Sequence, residues 1–115
     1  MAIDRFDGEH INVTIANGQT TSAEIDLSGL QLVGVWIPAA ITGTTMTFTA
    51  ATATGGTFST IYEVAGAASY SITIGASRFI PIDPRVFSGL RYIKLVAGSA
   101  QAADRVITIT ARPLS

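Results

Sequence analysis

The chain has no cysteine, a single histidine and a single lysine, and charged side chains make up only 13% of its 115 residues. An ordinary soluble domain has about a quarter. The lack of cysteine excludes disulfides, thiolate catalysis and zinc–thiolate sites. The six arginines are scattered and the formal net charge is −1, whereas a surface that binds nucleic acid needs clustered Lys and Arg. We therefore expect no nucleic-acid partner.

Long apolar segments are also missing. The most apolar stretch, residues 30–41, is about half as long as a helix that spans a bilayer, and it contains Pro38. Residues 1–10 are charged and lack the apolar core of a secretory signal. We therefore expect no membrane span and no secretion signal.

Alternation of apolar and polar side chains dominates the sequence, and a helical period is nearly absent. Ile11, Val13 and Ile15 alternate with Asn12 and Thr14. Further strand-length patterns lie at residues 22–27, 45–51, 59–64, 69–74, 78–82, 90–96 and 105–111. Residues 30–37 are apolar on both faces, which predicts a central strand covered on both sides. Eight or nine short strands at roughly ten-residue spacing predict an all-β, single-domain antiparallel two-sheet β-sandwich of jelly-roll-like form.

Two segments depart from this alternation. Residues 83–89 follow Pro81 and contain Pro84, and these prolines predict a tight turn or a single 3₁₀ turn. Residues 1–9 are rich in charge and have little apolar pattern, so we predict an N-terminal arm there and the β-sandwich domain at residues 10–115. Within the arm, the candidate contacts to a neighbouring protein are Asp4, Arg5 and Phe6.

Little in the sequence is typical of catalysis. His10 could join Asp7 and Glu9 in a weak divalent-cation site, but a solvated arm that leads into the first strand is the simpler interpretation. Glu24 and Asp26 could form a carboxylate pair, although such residues more often hydrate the outer face of an edge strand. No nucleophile elbow or glycine-rich phosphate loop occurs. We expect no catalytic residue, no metal and no cofactor; a small hydrolase or lyase that uses His10 is the remaining enzymatic alternative.

Aromatic side chains offer a different kind of site. Trp36, Tyr62, Tyr70 and Tyr92 could form a platform for a sugar, because flat rings stack on pyranose faces. Trp36, however, lies within the most apolar strand, which favours packing in the core or at an interface. Tyr92 follows Arg91 in a charged stretch, and we expect it to be the most exposed tyrosine.

Charged side chains lie around the proline-rich turn. Arg85 could pair with Asp83 and fix the loop, or it could bind a carboxylate on a neighbouring protein, and the sequence favours neither. The candidate interface residues are Trp36, Arg78, Arg85, Arg91 and Tyr92.

Several segments carry a resemblance to a known family: SAEIDL (22–27), LVGVWIPAA (32–40), MTFTAA (46–51), FIPIDP (79–84), FSGLRYIKL (87–95) and QAADRVITI (101–109). In this order they resemble a family of small proteins encoded beside capsid genes in tailed phages and prophages. The resemblance extends over residues 11–113. The strand RYIKL (91–95) is also similar to a late strand of discoidin-like jelly rolls, many of which bind sugars or lipids through end loops.

The resemblance implies a structural protein of the virion, above all a capsid decoration (cement) protein that binds and stabilises the head shell. It implies the major capsid protein or other virion proteins as partners, and a location on the capsid surface after synthesis in the host cytoplasm. The low charge and the 48% hydrophobic content also favour a homo-oligomer, a trimer or a dimer. The alternatives are a connector or tail component and a carbohydrate-binding module that recognises the host.

Overall fold

The computed structural model describes residues 9–113, so the candidate arm residues Asp4, Arg5 and Phe6 lie outside the described residues. The first strand begins at Glu9, one residue before the predicted start of the domain. The strands are β1 (Glu9–Ile15), β2 (Ile25–Asp26), β3 (Leu30–Ile37), β4 (Thr45–Ala51), β5 (Ser59–Thr60), β6 (Ser71–Thr73), β7 (Arg78–Pro81), β8 (Tyr92–Ala97) and β9 (Arg105–Pro113). A 3₁₀ turn at Pro84–Phe87 connects β7 to β8, as the prolines predict.

The strands form two antiparallel sheets. Sheet A has the order β1-β9-β3-β7, and sheet B has the order β2-β8-β4-β5, with β6 also paired to β4. If β5 and β6 are taken as one interrupted strand, the orders become 1-8-3-6 and 2-7-4-5. These are the two sheets of an eight-stranded jelly roll. The predicted fold class is therefore confirmed.

The core lies between the two sheets and follows the alternation seen in the sequence. Sheet A buries Val13, Ile15, Leu32, Val35, Ile37, Ile107, Ile109 and Ala111. Sheet B buries Ile25, Met46, Phe48, Ile93, Leu95 and Ala97. In β3 the pairing to β9 shifts register between Leu32 and Gly34, and this irregularity lets Leu32 and Val35 both face the core although they are three residues apart.

An aromatic cluster closes the core beside the 3₁₀ turn. Phe87, at the end of that turn, is fully buried and meets the ring of Phe48 edge-on, with 5.0 Å between centroids. Tyr70 meets Phe87 in the same way at 5.8 Å, and its hydroxyl accepts a hydrogen bond from the backbone N–H of Asp83. The Asp83 carboxylate caps the turn by accepting from the backbone N–H of Arg85. The turn is thus attached to the core on two sides.

Gln101 joins three loops near the ends of the strands, although its side chain is almost fully buried. Its amide Nε2 donates to the carbonyls of Thr42 and Ser99 at 2.9 and 3.0 Å, and its Oε1 accepts from the backbone N–H of Thr42 at 2.9 Å. Its own backbone N–H donates to the carbonyl of Gln19 at 3.0 Å. No pattern in the sequence indicates this role of Gln101.

The prediction that residues 30–37 are covered on both sides is wrong. Trp36 is 46% exposed, and it lies on the outer face of sheet A. Val106 in β9 is 50% exposed on the same face. Nothing in the described part of the chain packs a second layer over this face, because sheet B covers the opposite side of sheet A.

Candidate interaction surface

The outer face of sheet A brings exposed apolar side chains together. Trp36 of β3 has Phe79 of β7 as its register neighbour on one side and Thr108 of β9 on the other. Asn12 of β1 pairs with Thr108 and completes this row across four strands. Phe79 and Val106 are 40% and 50% exposed. We call this surface the Trp36 face and define it by Asn12, Trp36, Phe79, Val106, Thr108 and Thr110.

Two aromatic rings dominate one half of the Trp36 face. The rings of Trp36 and Phe79 lie 4.6 Å apart between centroids and are tilted by 48°. The Phe79 ring lies directly over Gly34, where a Cβ would overlap it. The absence of a side chain at Gly34 therefore lets the Phe79 ring lie against the sheet beside Trp36.

The polar groups of the Trp36 face bond to one another. The indole Nε1–H of Trp36 donates to the hydroxyl of Thr110 at 2.7 Å. The hydroxyl of Thr108 donates to the side-chain oxygen of Asn12 at 2.7 Å. A partner could displace water from this face without leaving these donors unpaired, which removes a large part of the usual cost of dehydrating polar groups.

The candidate arginines have separate surroundings within the chain. Arg91 binds the carboxylate of Asp26 through two hydrogen bonds, at 2.9 and 3.2 Å. Arg85 binds both carboxylate oxygens of Asp83, at 3.2 and 3.0 Å. Of the two uses considered for Arg85, the structure therefore shows the intramolecular one. The guanidinium of Arg78 lies against Gly75.

The two ion pairs perturb ionisation without being strong stabilisers. The hydrogen bonds from Arg91 and Arg85 lower the pKa of Asp26 and of Asp83 below their ordinary values, and the pKa of each arginine is raised in return. All four side chains are substantially exposed, so solvent screens the attraction. These pairs fix loop geometry. Arg85 and Arg91 could still contact a neighbouring protein through the guanidinium N–H groups that do not bind Asp83 or Asp26.

Glu24 and Asp26 do not form a catalytic carboxylate pair in this arrangement. Glu24 accepts hydrogen bonds from the hydroxyl of Thr54 at 2.6 Å and from the backbone N–H of Gly55 at 2.8 Å. These bonds, with a smaller contribution from Lys94, lower the pKa of Glu24. Because the pKa of Asp26 is lowered as well, neither carboxyl is adapted to donate a proton at neutral pH. Their role in the structure is to hold loops.

The predicted interface residues do not form one continuous surface. Trp36 belongs to sheet A, whereas Tyr92 belongs to sheet B, where the guanidinium of Arg91 lies 5.0 Å from the centre of its ring. Tyr92 is half-buried and Tyr62 is 55% exposed, so the expectation that Tyr92 is the most exposed tyrosine is wrong. Sequence reasoning also missed Phe79 and Val106. The sequence does contain a sign that Phe79 is exposed, because residues 79 and 80 are both apolar and consecutive residues of a strand point to opposite faces.

Neither a metal site nor a membrane helix is found in residues 9–113. No group of three or more His, Asp or Glu side chains there is placed to hold a metal ion. Among the same residues, no helix has the length and apolar character that crossing a bilayer requires.

Comparison with known proteins supports the fold. No protein-family model matches the chain, and no curated protein matches it. The structure is similar to that of the SPBc2 prophage-derived protein YomS, with a TM-score of 0.55 and 14% identity over 90% of this chain and 94% of the other. A structure described as Bacillus endospore appendages that form disulfide-linked pili matches with a TM-score of 0.39 and 13% identity, over 94% and 88% of the two chains. The YomS likeness supports the fold, and the second score is too low to support an argument.

Proposed function

We propose that this chain is a non-enzymatic structural protein of a phage virion that decorates the capsid shell by binding the major capsid protein. The observation that carries the proposal is the Trp36 face, an exposed sheet surface whose six defining residues include no Lys, Arg, Asp or Glu and whose polar groups are paired. Such a surface suits lasting contact with protein.

The phage context of the proposal has two sources of support. The sequence resembles small proteins encoded beside capsid genes, and the fold is similar to that of a prophage-derived protein. At 14% identity the structural likeness concerns the fold alone, so the role on the head shell belongs to the proposal. In this role the protein is made in the host cytoplasm and resides on the outer surface of the capsid.

A rigid jelly roll of low charge is well adapted to attachment at repeated positions on a shell. Each contact can be weak, because binding of an oligomer at several neighbouring positions raises the overall affinity. The predicted arm, residues 1–9, would add contacts through Asp4, Arg5 and Phe6. Truncation of the arm should therefore weaken attachment more than it changes the melting temperature.

The test is binding to expanded shells that lack the protein, taken from the phage or prophage whose genes adjoin this one. The proposal predicts saturable binding at symmetric positions, detected by co-sedimentation and electron microscopy. Trp36→Glu should weaken binding, while Tyr62→Glu, which places the same charge on an exposed ring in another region, should not. Absence of binding to the matching shell contradicts the proposal, and location at the tail or neck of the virion would favour the connector alternative.

Carbohydrate binding is a second candidate, favoured by the half-exposed indole of Trp36. The 48° tilt between Trp36 and Phe79 limits the flat surface to one ring. Glycan-array binding that disappears in Trp36→Ala would support this function. Binding to shells without any glycan signal would exclude it.

A further inference from the structure

We propose that a second copy of this chain covers the Trp36 face, so that two copies of sheet A pack face to face about a two-fold axis. This inference does not depend on the proposed phage function, and a second copy in solution and the capsid protein on a shell would compete for the same face. It follows from the charge, the size and the shape of the face.

Charge permits the contact between identical copies. The six residues that define the Trp36 face carry no ionisable side chain, and the chain has a formal net charge of −1. The ionisable residue beside them is His10, the register partner of Thr110 on the edge strand β1. Two identical faces can therefore approach without the repulsion that like charges opposite each other would produce. Arg112 lies two residues beyond Thr110 on β9, at the end of the strand, where water can still solvate it at the rim of a dimer.

The size of the face sets the strength that we expect. Four strands about 4.8 Å apart, each contributing several residues at about 3.4 Å, give a surface of roughly 20 by 20 Å, or about 400 Å² per copy. Two copies would bury about 800 Å² of flat area, with more from the raised rings, whereas stable specific complexes bury about 1,200–2,000 Å². Because this area is smaller than that of stable specific complexes, we expect a weak, reversible dimer, and the experiment covers dissociation constants from about 1 µM to 1 mM.

The shape of the face is complementary to itself. Trp36 and Phe79 stand on β3 and β7 and form a raised half, whose indole reaches Thr110 of β9. The other half carries the smaller side chains of Thr108 on β9 and Asn12 on β1. A two-fold axis parallel to the strands would place the raised half of one copy over the low half of the other. Such an isologous contact closes on itself and does not propagate into filaments.

The aromatic pair is already fixed in the single chain. Phe79 rests on Gly34 and contacts Trp36, and the Trp36 indole is held by its hydrogen bond to Thr110. Side chains held in this way lose little conformational freedom on binding. Tryptophan is also the residue type most often found to dominate the energy of protein interfaces. We therefore expect Trp36 to account for most of the affinity of the dimer.

The experiment is sedimentation equilibrium of the full chain from about 1 µM to 1 mM, the range set by the expected affinity. The wild type should show a monomer–dimer equilibrium. Trp36→Glu should raise the dissociation constant at least about thirty-fold, the effect of removing a dominant interface residue. Val106→Glu, on the same face but away from the rings, should also weaken the dimer, and it serves as the second variant if Trp36→Glu unfolds. The matched control Tyr62→Glu should associate like the wild type.

Two results overturn the inference. One is a wild type that stays monomeric over the whole range, and the other is a dimer that neither Trp36→Glu nor Val106→Glu weakens. A monomeric wild type that binds shells through the Trp36 face would leave the proposed function standing and assign the face to the capsid protein. A dimer disrupted by both variants but indifferent to shells would support the inference and contradict the proposed function.

Discussion

Replacing Gln101 with Met keeps the length of the side chain and removes its three hydrogen bonds. The Thr42 N–H and the carbonyls of Thr42 and Ser99 then lose their partners in a partly buried region. Each lost hydrogen bond costs about 1 kcal/mol net, and a stranded buried group costs about 1–3 kcal/mol. We expect the free energy of unfolding to fall by about 2–4 kcal/mol, which corresponds to a melting temperature lower by about 8–16 °C for a domain of this size.

Urea and thermal unfolding followed by circular dichroism measure this loss. The matched control is Gln31→Met, since Gln31 also donates to a loop carbonyl, that of Pro84 at 2.9 Å, but the hydroxyl of Ser88 reaches the same carbonyl. We expect the control to lose less than about 1 kcal/mol. A loss below 1 kcal/mol in Gln101→Met, or equal losses in both variants, would refute the reasoning that Gln101 holds three loops together.

Three further predictions concern the core, the Trp36 face and pH. Phe87→Ala should lower the free energy of unfolding by about 3–5 kcal/mol, because the ring is fully buried in the aromatic cluster. Urea unfolding measures this loss, and a loss near zero would contradict the description of the core. Gly34→Ala should displace the Phe79 ring and lower the free energy of unfolding by less than about 1.5 kcal/mol, because the end of an exposed side chain can move. The displaced ring should nevertheless weaken dimerisation. Calorimetry measures the stability and sedimentation the dimer, and a dimer as tight as that of the wild type would contradict the prediction. Because hydrogen bonding to Arg91 lowers the pKa of Asp26, this pair stabilises the fold fully above about pH 5 and its contribution is lost as the pH falls below about 4. The melting temperature of Asp26→Asn should thus be lower than that of the wild type at pH 7 and approach it at pH 2–3, and a constant difference would contradict this.

The architecture could be predicted because a half-buried strand leaves a direct mark on the sequence. Ile11, Val13 and Ile15 alternate with Asn12 and Thr14, and this pattern is the same whatever the strand pairs with. The 3₁₀ turn was predictable too, since proline restricts the backbone locally. Both features depend on residues that are close in sequence, so they could be predicted without a structure.

The outward position of Trp36 could not be read in the same way. A strand that is apolar on both faces looks identical whether its second face is covered by its own chain or by another molecule. The pairing of Arg91 with Asp26 across 65 positions was equally hidden, because the sequence placed Arg91 nearer to Asp83. Such contacts depend on how strands are ordered in the sheets, and alternation does not specify that order.

Trp36 is the single tryptophan of the chain, so its fluorescence reports on the Trp36 face alone. The most direct test of the account is the emission maximum and the acrylamide quenching of the wild type as its concentration rises through the dimerisation range. The account predicts a shift to shorter wavelength and weaker quenching as the second copy covers the indole, with Val106→Glu remaining at the dilute values. Emission and quenching that stay constant at every concentration would show that no second copy covers this face, and would contradict the account.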